Sequence, residues 1–300
     1  MREMSENQAM EQIMVGIDGS SSAGAALRWA LQESTLRSGS VTAVMVWDYL
    51  DQHHTDSSTE FDPAYDAVAA EAALKRFITT AVGETNGGQV GTEVVCDLVA
   101  RGLVRASKDA SLLVLGARGR GGFAELLLGS VSQRCLHKAS CAVAIVRSPP
   151  AENTREHGRI VAGVDGSADG QAALRWAAQE AAHRDAQLRV VHAAQPTQST
   201  YFDLPLPDPV RAVDVANREA NAILEHAISQ LNPSSVKVEA VPATGSPAKA
   251  LLNACEEADL VVIGRAGHSA LRSRLVGSVA TQISHHSKVP AVFVNSQDAP

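Results

Sequence analysis

The chain has 300 residues, 45% of them hydrophobic and 20% charged, with a formal net charge of −7, the balance of a soluble globular protein long enough for two domains. The acidic surplus argues against a general binder of nucleic acid or of acidic membranes, and no apolar run reaches the roughly 18 residues needed to span a bilayer. Residues 1–10 are polar and mixed in charge, without the apolar stretch of a signal peptide, and read as a tail.

In chain order, 13–17 is a short apolar run that ends in Asp18-Gly19-Ser20. A helical stretch over 22–37 follows, with Ala23, Ala26, Leu27, Ala30 and Leu31 at helical spacing. A strand is predicted at 41–47, a polar loop at 48–60 and a helix at 62–82, with Asn86-Gly87-Gly88 beyond its end. Strand 90–96, a short helix at 103–108 and strand 112–115 come next. A glycine loop then leads into a helix over 123–138 and a last strand at 142–146. The order is strand and helix in alternation, and the strands are apolar enough to be buried on both faces, which calls for a parallel sheet covered by helices. Aromatic residues are only 4%, so Val, Leu, Ile and Ala must build the cores.

The second half repeats the first. Ala25-Ala26-Leu27-Arg28-Trp29-Ala30 recurs as Ala172-Ala173-Leu174-Arg175-Trp176-Ala177. Strands are predicted at 159–164, 188–193, 236–241, 260–263 and 291–294. The period is that of a domain and not of a solenoid repeat of 20–50 residues. The expected division is a tail at 1–10, domains at 11–148 and 158–296, and a linker at 149–157 short enough to keep the domains side by side. Cys96, Cys135, Cys141 and Cys255 form no C-x-x-C pair and are not duplicated, as expected for packed, reduced thiols in a cytoplasmic protein.

The repeated residues that carry chemistry are Asp18, with Gly116-x2-Gly119-x9-Gly129-Ser130, and Asp165, with Gly264-x2-Gly267-x9-Gly277-Ser278. In an open α/β sheet a ligand sits beyond the carboxyl ends of the strands, at the switch in strand order. The aspartates and glycine loops all leave strand ends, so each pair can meet there. The glycines let backbone approach a phosphate, with amides near Gly129 and the Ser130 hydroxyl capping the anion. The plainer reading gives the glycines to turns and makes Ser130 an N-cap. Asp18 has the same two readings, a carboxylate for ribose hydroxyls or an N-cap. Arg101, Arg105, Arg118 and Arg120 read as a helix face and a loop rather than a binding patch. His53-His54 and His285-His286 are not mirrored between the halves, which suits surface positions better than metal ligation.

On the two aspartates and the doubled G-x2-G-x9-G-S pattern, the chain from about residue 11 to 295 resembles a tandem universal stress protein. The resemblance implies two repeated five-stranded parallel sheets of order 3-2-1-4-5 with helices on both faces, and pairing of the domains through their last strands. It implies ATP, with or without Mg, as the ligand, and adenine contacts from Val46 and Ala193 at the ends of the second strands. The implied role is an ATP-binding stress-response regulator, a homo-oligomer with an unnamed protein partner. Asp97-Leu98-Val99 departs from the family-like Gly245-Ser246-Pro247, since a carboxylate near triphosphate is unhelpful without a metal. Arg118 and Arg120 give way to Ala266 and His268, so the second loop keeps a cation at Arg265, with Arg272 and Arg274 further on. No Walker loop, dinucleotide fingerprint or G-x-S-x-G elbow occurs. No catalytic residue is assigned. A bound nucleotide that acts as a signal is expected ahead of a slow ATPase or self-phosphorylating enzyme, because no general base accompanies the loops.

Overall fold

Alternation within the strands decides the layering. Ile13 and Val15 of β1 (Gln12–Gly16) pack into one core, and Met14 into another on the opposite face. The computed structural model describes residues 11–48, 51–53, 61–120, 127–147, 157–194, 209–231, 236–267 and 276–296. In the first half β1 is followed by α1 (Ser21–Arg37), β2 (Ser40–Trp47), α2 (Ala67–Gly87), β3 (Val90–Cys96), α3 (Val99–Ala106), β4 (Leu112–Gly116), α4 (Ser130–Lys138) and β5 (Ala142–Val146). The second half gives β6 (Arg159–Gly163), α5 (Ala168–His183), β7 (Gln187–Ala194), α6 (Pro209–Ser229), β8 (Val238–Thr244), α7 (Pro247–Ala254), β9 (Leu260–Gly264), α8 (Ser278–His286) and β10 (Ala291–Val294).

The strands form one sheet of order β3-β2-β1-β4-β5-β10-β9-β6-β7-β8. Each half is a parallel 3-2-1-4-5 sheet, as expected, and the halves join where β5 and β10 pair antiparallel, with Val292 opposite Ala144. The cores are therefore shared: one lies under α1, α2, α5 and α6, the other under α3, α4, α7 and α8, and each draws residues from both halves.

Two sets of charged contacts reinforce the joint. Arg265 is buried and donates to the carbonyls of Ala139 and Cys141, both at 2.6 Å, and Arg147 donates to those of Ser284 and His285, both at 2.7 Å. Each arginine thus answers carbonyls at or beyond the carboxyl end of the other half's last helix. On the opposite face Glu33 and Glu180, both fully buried, meet Arg37 and Arg184. Arg37 pairs with Glu180 at 2.5 Å and Glu33 at 3.5 Å, and Arg184 pairs with both glutamates. Arg37 also reaches Glu11 at 2.9 Å and lies 4.5 Å over the Trp176 ring.

Several boundaries differ from expectation. The second helix starts at Ala67, where Asp66 accepts from Val68 and Ala69 N–H, and not at 62. Its regular part ends near the expected place, because Gly83 has φ 81° and ψ 165°. The third helix begins at Val99, ahead of the expected 103, and closes in a single 3-10 turn, Ser107–Asp109. The helix expected over 123–138 begins at Ser130: residues 127–129 are not helical, and 121–126 lie outside the described residues. The linker expected at 149–157 falls outside them too, except His157. Cys135, Cys141 and Cys255 are buried free thiols and Cys96 is an exposed one. No helix among the described residues is long and apolar enough to cross a membrane.

Candidate functional site

The turn after the first strand of each half is the same. Gly19 and Gly166 have φ of 83° and 80°, a region open to glycine and costly for other residues. The reversal places Ser20 and Ser167 as the N-caps of α1 and α5, each accepting an amide at 3.1 Å, from Ala23 and Gly170. Reading Asp18 as an N-cap is therefore overturned: the serine two residues on does that work. The aspartate is left to hold the turn and the glycine loop together. Asp18 accepts the Ser20 amide at 3.0 Å through Oδ1 and the Arg120 amide at 3.1 Å through Oδ2. Asp165 accepts the Ser167 amide at 3.0 Å and the Ser167 hydroxyl.

The loop glycines divide by role. A Cβ on Gly119 would stand 2.5 Å from Asp18 Oδ2, and one on Gly267 2.7 Å from Asp165 Oδ2. Aspartate and loop thus meet at one point in each half, with no room for a side chain. Gly116 and Gly264 instead face helix backbone, where a Cβ would strike Ser22 at 2.8 Å and Asp169 at 2.7 Å, so these two serve packing. Gly129 and Gly277 close the loop, their amides donating to the carbonyls of Ala117 at 2.7 Å and Arg265 at 2.9 Å. Those two amides are spent, so the amides near Gly129 that remain for an anion are the ones that follow it. What does face outward is the first turn of α4 and α8. Gly129 and Gly277 are the N-cap residues and bring no side chain to the first-turn amides, which begin at Ser130 and Ser278. A helix N-terminus left this way favours an anion.

The ends of the second strands supply the other side of the cleft. The Val44 carbonyl accepts from Ile17 at 2.8 Å, and that of Val191 from Val164 at 3.0 Å. Residues two apart in a parallel strand turn their backbone groups to the same neighbour, so Val46 and Ala193 present theirs just past the end of the first strand. The Val46 side chain is buried, packed where Gly102 of α3 leaves room. In the second half the result is a cleft of about 270 Å³, lined by Val191, Ala193, Pro247 and Leu251 on one side and by Asp165, Gly267, Gly277 and Ser278 on the other. That is near the lower end for small-ligand pockets, with the usual apolar wall and convergent polar groups.

The charges are not where the sequence put them. Arg265, expected as the second loop's cation, is committed to the domain joint described above. His268, Arg272 and Arg274 lie outside the described residues. The Arg120 guanidinium extends to Asp51 at 3.5 Å and to the Gln52 carbonyl at 3.4 Å. Asp97 needs no metal: it accepts from the Leu98 amide at 2.7 Å and from Arg101 at 2.5 Å, with Arg105 at 3.2 Å. Burial alone would raise its pKa, but these donors hold it below the usual carboxylate range. No group of three or more His, Cys, Asp or Glu able to hold a metal occurs among the described residues.

Two residues escaped the sequence reading. Asp169, in register with Ser22, accepts the amides of Ala266 and Ser296, both at 2.9 Å, and so pins the second glycine loop; the change of residue at a repeated position was the available signal. His53, read as a surface histidine, is 4% exposed. Nothing in its polar surroundings in the sequence marks it as buried.

The universal stress protein family model matches residues 10–147 and again 156–295. A universal stress protein of Mycobacterium tuberculosis is 30% identical over 299 residues, covering 96% of this chain and 98% of the relative. One of Mycolicibacterium smegmatis is 30% identical over 292 residues, covering 94% and 96%. Among solved structures, a universal stress protein from Archaeoglobus fulgidus superposes with a TM-score of 0.60 at 19% identity, covering 95% of this chain and 98% of that one. One from Pseudomonas aeruginosa gives 0.62 at 15%, covering 96% and 94%. The chain belongs to the universal stress protein family, in its tandem two-domain form.

Proposed function

We propose that this universal stress protein binds ATP in each half and acts as a stress-response regulator, the nucleotide holding a conformation that a partner reads. The observation that carries this is the repeated convergence, at the switch in strand order, of an aspartate, a glycine that admits no side chain, and a helix N-terminus without a side-chain cap. The ligand's parts fit this arrangement. Asp18 and Asp165 can accept ribose hydroxyls. The first turns of α4 and α8, with Ser130 and Ser278, face anionic phosphates. The backbone at Val46 and Ala193 meets the base, and in the second cleft the Val191, Pro247 and Leu251 side chains give it an apolar wall. Magnesium would travel with the phosphates, since Asp97 is engaged by arginines.

Among the described residues no group on the cleft walls is set to orient water, and turnover is expected far below the ~10 s⁻¹ of a median enzyme. ATP then matters to the extent that it binds one arrangement of the molecule more tightly than another. The thiols and the chain's acidic balance favour a cytoplasmic setting, without nucleic acid or membrane as partner. Because β5 and β10 consume each other's edges, a homo-oligomer would assemble through other surfaces. Denaturing the purified protein and separating the extract by chromatography tests the reading. Adenine nucleotide in the extract supports it. Its absence, with no calorimetric binding of ATP, refutes it. Fast multiple-turnover phosphate release would replace the signal by an enzyme.

A further inference from the structure

The helices that start at the two sites end against each other's half. α4 begins at the first glycine loop with Ser130, and α8 at the second with Ser278. Each is nine residues long, so the start of each helix lies only about 13 Å from its other end along one rigid rod. Those far ends meet the joint between the halves. The carbonyls of Ala139 and Cys141, at the end of α4, accept from Arg265, and those of Ser284 and His285, at the end of α8, accept from Arg147.

Neither arginine stops at the joint. Arg265 belongs to the second glycine loop, and its own carbonyl accepts the Gly277 amide at 2.9 Å, directly before the first turn of α8. Its amide donates to the Val294 carbonyl at 2.8 Å. Arg147 donates also to the Leu127 carbonyl at 2.9 Å, two residues before Gly129. The contacts close a ring. It runs from Ser130 along α4 to Arg265, through Gly277 to Ser278, along α8 to Arg147, and through Leu127 back to the start of α4. Across the repeat, Arg265 corresponds to Ala117, which keeps the same backbone bonds, to Val146 and Gly129, with a side chain too short to cross the joint. Two non-equivalent positions of the repeat thus supply the two links between loop and opposite helix.

We propose that Arg147 and Arg265 are positioning residues that couple the two nucleotide sites, so that ATP in one half raises the affinity of the other. The inference rests on the nucleotide reading above. A triphosphate at the start of α4 interacts with the same helix dipole whose carbonyl end holds Arg265. The filled helix therefore fixes that guanidinium, and with it the loop residue whose carbonyl holds Gly277. The first turn of α8 is then set in place before its own ligand arrives, and the second ATP has less ordering left to do. From the second site the same effect runs through α8, Arg147 and Leu127. Couplings between sites are typically about 5- to 150-fold and equal in both directions. Two short rigid helices tied by charge-assisted bonds should reach at least ~5-fold.

The test is calorimetry of the full chain with ATP-Mg. Gly119→Leu and Gly267→Leu each close one site by bulk, without a negative charge that would imitate phosphate, and give the affinity of the other site alone. The product of the two wild-type association constants should exceed the product of the two single-site constants by at least ~5-fold. Arg147→Met and Arg265→Met, checked for folding by circular dichroism, should each still bind two ATP with that excess reduced, and together they should abolish it. Arg147→Met carries the test by itself if Arg265→Met folds poorly. Hydrogen–deuterium exchange separates coupling from a merely structural role. In the Gly119→Leu chain ATP should slow the amides at the start of α4, and adding Arg147→Met should remove most of that slowing while keeping the slowing at Ser278. A wild-type product equal to or below the single-site product, or an excess unchanged in the arginine variants, would overturn the proposal and leave nucleotide binding standing. No ATP binding by any chain, wild type included, would remove both.

Discussion

Replacing Glu33 by glutamine should abolish a pH dependence of stability that the charged joint builds in. Three carboxylates, from Glu11, Glu33 and Glu180, face the Arg37 and Arg184 guanidiniums. One proton balances them. Burial, and then the neighbouring Glu180 carboxylate, push Glu33 up to about 8. Glu180, though burial opposes it, is held low by Arg37 and Arg184. The carboxylates thus titrate as a pair with the proton on Glu33 at neutral pH. In the unfolded chain Glu33 ionises near its ordinary 4.5. Between 4.5 and 8 the folded state holds a proton that the unfolded state has lost. The stabilisation is complete below 4.5, falls by up to about 1.4 kcal/mol per pH unit as pH rises, and levels off above about 8. Across the window the loss is on the order of 3–5 kcal/mol, a large part of a typical stability of about 5–15 kcal/mol. The Glu180 contribution is lost at the acid end, below about 4.5, so it does not mask this slope. Glutamine at 33 keeps the shape and accepts from Arg184 with no proton to lose. Guanidinium unfolding of both proteins at pH 5.5, 7 and 8.5 is the assay. The variant should be within about 1 kcal/mol of wild type at pH 5.5 and more stable by several kcal/mol at 8.5. An unchanged slope, or a variant less stable at every pH, would refute the shared-proton reasoning.

Arg265→Ala should cost about 2–4 kcal/mol in urea unfolding, because it strands the Ala139 and Cys141 carbonyls in a buried joint; a cost under 0.5 kcal/mol would contradict that role. Gly119→Ala should weaken ATP at the first site at least ~10-fold in calorimetry and leave circular dichroism unchanged, since its Cβ collides only with Asp18 Oδ2. Native alkylation at pH 8, read by peptide mass spectrometry, should label Cys96 quickly and spare Cys135 and Cys255, whose thiols burial pushes up to about 12.

Much of the architecture was legible because the sequence is written twice. A glycine loop after one buried strand suggests little, whereas two at matching offsets from two Asp-Gly-Ser turns place the cleft. The strands were the easiest elements: β5 and β10 match their expected bounds, since apolar runs of five and four residues between polar turns leave little freedom, and β3 matches too although Gly91, Thr92 and Glu93 interrupt its apolar residues. Helix starts were harder, because they depend on side-chain caps. Asp66 and Ser20 set theirs, and the Gly129 turn delays α4 by several residues against its apolar pattern. Glycine roles were the least legible. Gly116 and Gly119 look alike in the sequence, yet one meets helix backbone and the other a carboxylate. Arg265 and His53 were misread for a related reason: composition assigns charged and polar residues to the surface, and only long-range contacts bury these two.

Nucleotide binding at the repeated site is best tested by hydrogen–deuterium exchange of the full chain with and without saturating ATP, which reads the first-turn amides of both helices at once. Slower exchange is expected at the start of α4 from Ser130 and around Gly119, and at the start of α8 from Ser278 and around Gly267. Unchanged exchange at both helix starts under millimolar ATP would contradict the site.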